Sequence, residues 1–353
     1  MSDRNGHRLI ARCEAPSVRL HRRAGKPWAL ILAGGDGVRL RPLTRQIAGD
    51  DRPKQFCALL GVDTLWEQTR RRAHLLVVPS RVVSVVTESH QQYYAPLVAR
   101  ERAARVVVQP ENRGTASGLL YGLLRLARAD SRAAVVVLPS DHWVSDDRAF
   151  MAHVDVALRM LSTHPDVVTL LGVAPDRSET EYGWIEPGAS LSVNARRVAR
   201  FWEKPTPDVA ATVRARGGLW NTLVMVGRVD VFLALFTDTV PTLCEAFAPL
   251  RTSLGRVGEL HAARQVYAAL PAVDFSKFVL QAAPERLAVV PVHGVGWNDL
   301  GDPTRLLMTQ DVMRRALAGR PLSLFRRQPT VGGYARPGLR IGSRPWRRLS
   351  TAT

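Results

Sequence analysis

The sequence predicts an α/β fold with a mainly parallel, mixed sheet flanked by helices, and three observations predict it. Short continuous apolar runs recur at 29–33, 82–86, 106–108, 134–138 and 167–171, the pattern of strands covered on both faces. Stretches of helical spacing lie between several of them. Glycine-rich and acidic motifs follow the runs directly, at the strand ends where open α/β sheets bind ligands.

The first run, Ala29-Leu30-Ile31-Leu32-Ala33, ends in glycines, as a buried parallel strand does. Leu119, Leu120, Leu123, Leu124 and Ala127 share a helix face, and Thr115 is placed to cap that helix. Phe150, Val154, Leu158 and Leu161 repeat the period, whereas Tyr93-Tyr94 and 232–236 read as packing. Beyond 198 the pattern loosens, with short strands expected at 198–202, 223–226 and 287–292, as a second lobe on the same sheet. No internal repeat is evident. The organisation expected is a basic arm (1–27), a domain (28–308) in two halves (28–142 and 143–308), and a C-terminal helix with a basic tail (309–353). The last thirty or so residues, rich in Arg, Pro and Gly, read as loosely ordered.

The formal charge of +18 is concentrated in the two ends. Residues 1–27 carry seven basic and two acidic side chains, and 321–353 carry seven basic and none acidic. The domain between is unremarkable for one that handles phosphates. Basic ends give salt-dependent affinity for any polyanion, yet no zinc finger, RNA-recognition signature or recognition helix appears, so no specific nucleic-acid partner is expected. No run reaches the roughly 18 apolar residues of a membrane helix, and the start lacks the apolar core of a signal peptide. Cys13, Cys57 and Cys244 stand alone, without disulfide or zinc spacing, which suits a cytoplasmic protein. Only four of the 49 basic residues are lysine: Lys26, Lys54, Lys204 and Lys277. In so Arg-rich a chain a retained lysine is a candidate point charge for one phosphate or carboxylate oxygen.

The motif Gly34-Gly35-Asp36-Gly37-Val38-Arg39-Leu40-Arg41-Pro42-Leu43 directly follows the first strand. Glycines there admit close backbone approach and aim N–H groups at phosphate oxygens. No Gly-Lys-Ser/Thr closes it, and Leu40 takes the third glycine position of a dinucleotide fingerprint, so neither of those motifs is present. Arg39, followed by Lys54 in Pro53-Lys54-Gln55-Phe56, supplies two cations suited to a triphosphate.

Together these two segments resemble the signature of the sugar-1-phosphate nucleotidyltransferases, and the Gln-Phe ending is most similar to the mannose-1-phosphate guanylyltransferase branch. Six further segments agree in order. Gln109-Pro110-Glu111-Asn112-Arg113-Gly114-Thr115-Ala116 resembles the loop around the nucleobase and ribose. Leu138-Pro139-Ser140-Asp141-His142 resembles the metal-binding aspartate motif. Tyr182-Gly183-Trp184-Ile185-Glu186 and Trp220-Asn221 resemble sugar-facing segments. Phe201-Trp202-Glu203-Lys204-Pro205 resembles the stretch holding the sugar phosphate, and Gly296-Trp297-Asn298-Asp299-Leu300-Gly301 the second metal aspartate.

The resemblance implies a Rossmann-like fold of the nucleotide-diphospho-sugar transferase type, its first half binding nucleotide and its second half binding sugar. It implies GTP and mannose-1-phosphate as substrates and GDP-mannose as product, with a hexose-1-phosphate and a nucleoside triphosphate as the only partners and homodimerisation left open. By the same resemblance Arg39 and Lys54 are catalytic, and Ala33, Gly34, Gly35, Gly37, Gln109, Asn112, Gly114 and Thr115 bind nucleotide. Gly183, Glu203, Lys204 and Asn221 bind the sugar phosphate, and Asp141 and Asp299 hold magnesium, or manganese in its place. Read as residues alone, Asp141 is equally a helix cap, Asp299 a turn cap before Gly301, and Glu203-Lys204 a surface ion pair worth under about 1 kcal/mol; His142 and Trp143 read as packing or orienting groups.

The sequence departs from the pattern in three places. Asp36 stands where a small hydroxyl residue is usual and Val38 where Thr is common, and a carboxylate beside a phosphate cradle is unfavourable unless solvated, paired or hydrogen-bonded. Thr222-Leu223 replace a small residue and glycine, and Leu223 is expected to narrow the sugar pocket. Asp274-Phe275-Ser276-Lys277 also differs, leaving Lys277 as a phosphate contact or a solvated charge. No second isomerase domain is expected. Two rival readings stay open: another nucleotide and sugar pair, and a non-catalytic relative that only binds nucleotide sugar.

Overall fold

Apolar runs with period-two side chains become strands here because each face of one sheet has its own core to fill. The structure, a computed structural model, describes residues 26–101 and 104–318. Its first half contains β1 (Trp28–Ala33), α1 (Arg41–Ala48), α2 (Leu65–Ala73), β2 (Val82–Thr87), α3 (Gln91–Ala99), β3 (Arg105–Gln109), α4 (Gly114–Asp130), β4 (Ala134–Pro139), β5 (Trp143–Val144) and α5 (Asp147–Met160). There follow β6 (Val168–Val173), β7 (Gly183–Ser192), β8 (Ala195–Glu203), α6 (Pro207–Ala215), β9 (Leu219–Arg228), α7 (Val229–Thr239), α8 (Pro241–Ala246), α9 (Glu259–Ala268), β10 (Leu287–Val292), β11 (Trp297–Asn298) and α10 (Pro303–Ala318). The described residues through 311 make one compact unit, and 312–318 belong to a second.

Nine strands form one sheet in the order β3-β2-β1-β4-β9-β6-β10-β8-β7. β1 pairs in parallel with β2 and β4, β2 with β3, and β6 with β10, while β8 and β9 run against their neighbours. Side chains alternate between two cores, as a period of two requires. From β1, Leu30 joins the cluster under α4, α7 and α9, and Ala29 and Ile31 join the one under α2 and α5. Phe232 and Phe236 are fully buried and Tyr94 nearly so, as expected of packing residues. Cys57 and Cys244 are buried free thiols.

Four details differ from the sequence reading. Strand β7 was not foreseen, because Pro187 and Gly188 interrupt its apolar pattern; it pairs with β8 along its length but with β9 only through Trp184 and Ile185, so past Ile185 one edge is unpaired and tolerates a proline and a register shift. β9 begins four residues earlier than expected, since Trp220-Asn221 and a bulge opposite Leu170–Gly172 hide the alternation. Thr115 does not cap α4. The Asn112 side-chain carbonyl instead accepts the Gly114 N–H, at 3.1 Å, and Thr115 lies inside the helix. Finally, the last helix starts at Pro303, so the division placed at 308/309 falls within it. The basic arm apart from Lys26 and Pro27, and the tail beyond 318, lie outside the described residues. Among the described residues no helix is long and apolar enough to cross a membrane.

Candidate active site

The glycine turn after β1 is held by amide side chains from beneath. The Gln55 side-chain amide donates to the carbonyls of Ala33 and Gly35, at 3.0 and 2.7 Å, and the Thr87 hydroxyl donates to the Gly34 carbonyl at 2.8 Å. Gln109, buried, donates to the Thr87 hydroxyl at 2.9 Å and accepts from the Tyr267 hydroxyl at 3.3 Å. A Cβ at Gly34 would lie 2.2 Å from the Gln109 amide nitrogen, so any side chain there would have to displace the buried, hydrogen-bonded Gln109. Gly37 has φ +59°, the left-handed conformation that starts the short turn carrying Arg39. Above the turn is a cleft of about 240 Å³ whose lining includes Gly34, Gly35, Gln109, Asn112, Gly114, Thr115, Asp141 and Leu223. Ala33 itself is buried in the sheet, contributing its carbonyl to Gln55.

Asp141 and Asp299 are brought together by the small sheet in which Trp143 of β5 pairs with Asn298 of β11. Lys54 stands between them. Its ammonium donates to the main-chain carbonyls of Asp299 and Leu300, at 2.7 and 3.0 Å, and lies 3.2 Å from the Asp141 carboxylate. Burial pushes the Asp141 carboxyl upward, but Lys54 and His142 outweigh it and hold it below its ordinary value. Burial likewise lowers His142, which packs edge-on to Trp297.

Asp299 turns its main chain, not its carboxylate, to Lys54. Its Oδ1 accepts from the Tyr182 hydroxyl (3.0 Å), the Gly301 N–H (2.9 Å) and Arg305 Nη1 (3.1 Å), and the same nitrogen donates to Oδ2 at 3.1 Å. The turn-capping reading of Asp299 therefore holds as well. Among the described residues no three His, Cys, Asp or Glu side chains gather closely enough to hold a metal by themselves. The donor chemistry of Asp141 fits a hard divalent cation that takes one or two carboxylates and completes its shell with phosphate oxygens and water. The Asp299 carboxylate is already engaged by four hydrogen bonds.

The sugar-side candidates cluster where β7 pairs with β8. Gly183 lies opposite Glu203, and a Cβ at Gly183 would come within 2.9 Å of the Glu203 carboxylate. Lys204, exposed, adopts φ +47°. Asn221 on β9 is buried and its side-chain carbonyl accepts the Leu223 N–H at 3.1 Å. Burial, seconded by Asp274, pushes the Glu203 carboxyl up to about 7, against Lys204. The folded chain thus holds a proton that the unfolded chain has released, so Glu203 makes stability fall as pH rises from about 4.5 to about 7. The expected result for Glu203→Gln, neutral throughout, is a denaturation midpoint equal to wild type near pH 4 and higher at pH 8. Parallel pH curves for the two proteins would refute the assignment.

Arg39 is exposed and reaches 3.5 Å from Glu181, across the mouth between the two halves. Asp36 is no loose charge. Its carboxylate lies 3.2 Å from His90 Nε2 and accepts the Asn112 side-chain N–H at 2.9 Å, which ties the glycine turn to the loop after β3. Both ends of the Asn112 amide are used in this way. Lys277 is exposed with its ammonium over the Phe278 ring, the solvated-charge reading. Sequence reasoning missed Arg305, which is buried, pairs with Glu179, Asp299 and Asp302, and stacks 4.5 Å from the Tyr182 ring centre. One arginine among 45 carries no motif, so no sequence signal marks it.

Comparison with known proteins places this geometry in context. A family model described as nucleotidyl transferase matches residues 28–314. The alginate biosynthesis protein AlgA of Pseudomonas aeruginosa is 30% identical over 287 residues, 77% of this chain and 56% of that one. The mannose-1-phosphate guanylyltransferase of Salmonella muenchen is 27% identical over 301 residues, 82% of this chain and 61% of that one. The chain thus spans a little over half the length of these relatives. A crystal structure described as mannose-1-phosphate geranyltransferase from Thermus thermophilus superposes with a TM-score of 0.68 at 32% identity, covering 78% of this chain and 76% of the other.

Proposed function

The chain belongs to the nucleotidyl transferase family, and from that premise we propose that it joins a nucleoside triphosphate to a sugar-1-phosphate with release of pyrophosphate, the pair being GTP and mannose-1-phosphate and the product GDP-mannose. The observation that carries this reading is the shared cleft, lined by the glycine turn and by Asp141, which is tied to Lys54. The relatives named for mannose-1-phosphate support the choice of sugar and base.

In the proposed reaction an oxygen of the sugar phosphate attacks the α-phosphorus, and the bond from that phosphorus to the pyrophosphate oxygen breaks. The nucleophile is already an anion, so no general base is needed, and catalysis is positioning plus charge stabilisation. The glycine turn presents N–H groups to the triphosphate, and exposed Arg39 folds its guanidinium over the outer phosphates. Lys54, fixed by two carbonyls and a carboxylate, brings its charge to the reacting phosphates without further reorganisation. Lys204 receives the sugar phosphate, and Glu203, protonated below about pH 7, donates to a sugar hydroxyl. Asp141 would hold Mg²⁺ or Mn²⁺, and the bound ion would supply neutralisation of phosphate charge.

The test is pyrophosphate release from a matrix of four nucleoside triphosphates and several hexose-1-phosphates, with and without Mg²⁺ or Mn²⁺. GTP with mannose-1-phosphate is expected to give the largest kcat/KM, dependent on the added ion. Preference for another pair would overturn the substrate assignment, and silence across the matrix would overturn the reaction.

A further inference from the structure

Among the described residues only three that are not glycine have positive φ: Lys204, Leu300 and Leu223, the last at +55°. A branched side chain is disfavoured there, because its Cβ crowds the following carbonyl. Such strain persists only where surrounding bonds over-determine it, and it collects at functional sites. Leu223 meets both conditions. The Asn221 side chain accepts its N–H, and the buried Thr222 hydroxyl donates to the Leu171 carbonyl at 2.7 Å while accepting the Val224 N–H at 3.2 Å. The bulge so fixed in β9 delivers the Leu223 side chain to the wall of the cleft.

The sequence places Leu223 beside a sugar-facing pair, but its neighbours in the cleft say otherwise. They include Gly34 and Gly35 of the first turn, Gln109, Asn112, Gly114, Thr115 and Gly118 around and within the start of α4, and Asp141, over a floor of Leu32, Val85 and Pro139. None comes from the β7–β8 pair that carries Gly183, Glu203 and Lys204. The start of β9, Leu219 and Trp220, pairs with β7, whereas its residues from Met225 on pair with β4, which is how a residue late in the chain reaches the first half's cleft. Four of the lining residues, Gly34, Gly35, Gly114 and Gly118, are glycines, and the other apolar ones, Leu32, Val85 and Pro139, belong to the strands β1, β2 and β4, so Leu223 is the apolar side chain that β9 adds to the cleft.

We propose that Leu223 is a specificity-determining residue which narrows the nucleoside side of the cleft and thereby selects the base of the nucleoside triphosphate. It rests on the reaction proposed above. An apolar wall discriminates by shape and by leaving misplaced polar edges unpaired, and a difference of about one methylene in such a wall shifts selectivity by roughly 10- to 200-fold.

Two variants separate the side chain from the backbone. Leu223→Ala removes the bulk and keeps the positive φ, whereas Leu223→Gly removes the bulk and relieves the strain. In both, the ratio of kcat/KM for the preferred nucleotide over the next best is expected to fall at least tenfold, with selectivity among sugar phosphates unchanged. A ratio within twofold of wild type in both variants would overturn the proposal. So would relaxation in the glycine variant alone, which assigns the effect to the backbone, or relaxation confined to the sugar panel. Calorimetric affinities of the four nucleoside triphosphates are measured on the same proteins. They report on Leu223 even if wild type releases no pyrophosphate, so the two proposals fail separately. A thermal midpoint for each variant verifies that it is folded.

Discussion

Replacing Asp141 by asparagine is expected to lower kcat/KM on the order of 10²- to 10³-fold, the usual cost of one electrostatic contact made to a reacting phosphate. Asparagine keeps the shape and still accepts from Lys54, so the change is chiefly one of charge. That charge acts in two opposite directions. Without divalent ions, a carboxylate lining the cleft repels an incoming triphosphate, and the variant is expected to bind nucleotide more tightly than wild type. With Mg²⁺ present the order reverses, because wild type recruits the cation together with the nucleotide. Calorimetry with a non-hydrolysable triphosphate, with and without Mg²⁺, reads this crossing. If wild type and variant keep the same order in both conditions, Asp141 is not a cation anchor. A purely structural aspartate would lower activity and shift stability, but it would not make the affinities cross.

The features legible in the sequence were those written in local pattern. Buried parallel strands are continuous apolar runs, and the glycine turn announces itself because close approach to Gln109 and a left-handed φ both exclude side chains at fixed spacing. Motifs 158 residues apart, at Asp141 and Asp299, were read as partners through family resemblance alone; the β5–β11 pairing that joins them is two residues long and has no pattern of its own. What the sequence concealed was the use made of each side chain once the loops met. Asn112 reads as a ligand group, yet its amide is spent between Asp36 and Gly114. Asp36 reads as a misplaced charge, yet it is the clasp between two loops. Leu223 reads as a sugar-pocket residue because its neighbours in sequence are, whereas the sheet order carries it to the other half. Hydrogen-bond partners at long range depend on which loops become adjacent, and periodicity carries no information about that.

Arg305 shows the same principle at its largest energetic scale. It is 5% exposed, and three carboxylates converge on it: Glu179 at 2.9 Å, Asp299 at 3.1 Å and Asp302 at 3.1 Å, with the Tyr182 ring beneath the guanidinium. Replacement by methionine fills much of the same volume but leaves the carboxylates to repel one another in a partly desolvated place. Removing one member of a buried ionic cluster costs about 3–5 kcal/mol, a large share of the stability of a domain. Lysine is expected to recover only part of the loss, since a point charge cannot serve three carboxylates in fixed directions or stack on tyrosine. The sign of the pH dependence distinguishes this from lost packing. Burial raises the Glu179 carboxyl, but the Glu181 N–H and Arg305 together hold it below its ordinary value of 4.5. In wild type its contribution is therefore complete above that value and is lost as pH falls through the lower folded value. Without Arg305 the Glu179 carboxylate is relieved, not harmed, by protonation. Urea midpoints of wild type and Arg305→Met are thus expected to differ widely at pH 7 and to converge toward pH 4. A gap of constant size would mean that Arg305 acts by its bulk. The cluster also orients the segment whose Asp299 and Leu300 carbonyls hold Lys54, so Arg305→Lys is expected to lower kcat more than it raises KM for nucleotide, placing the arginine as a positioning residue for Lys54 in the proposed reaction.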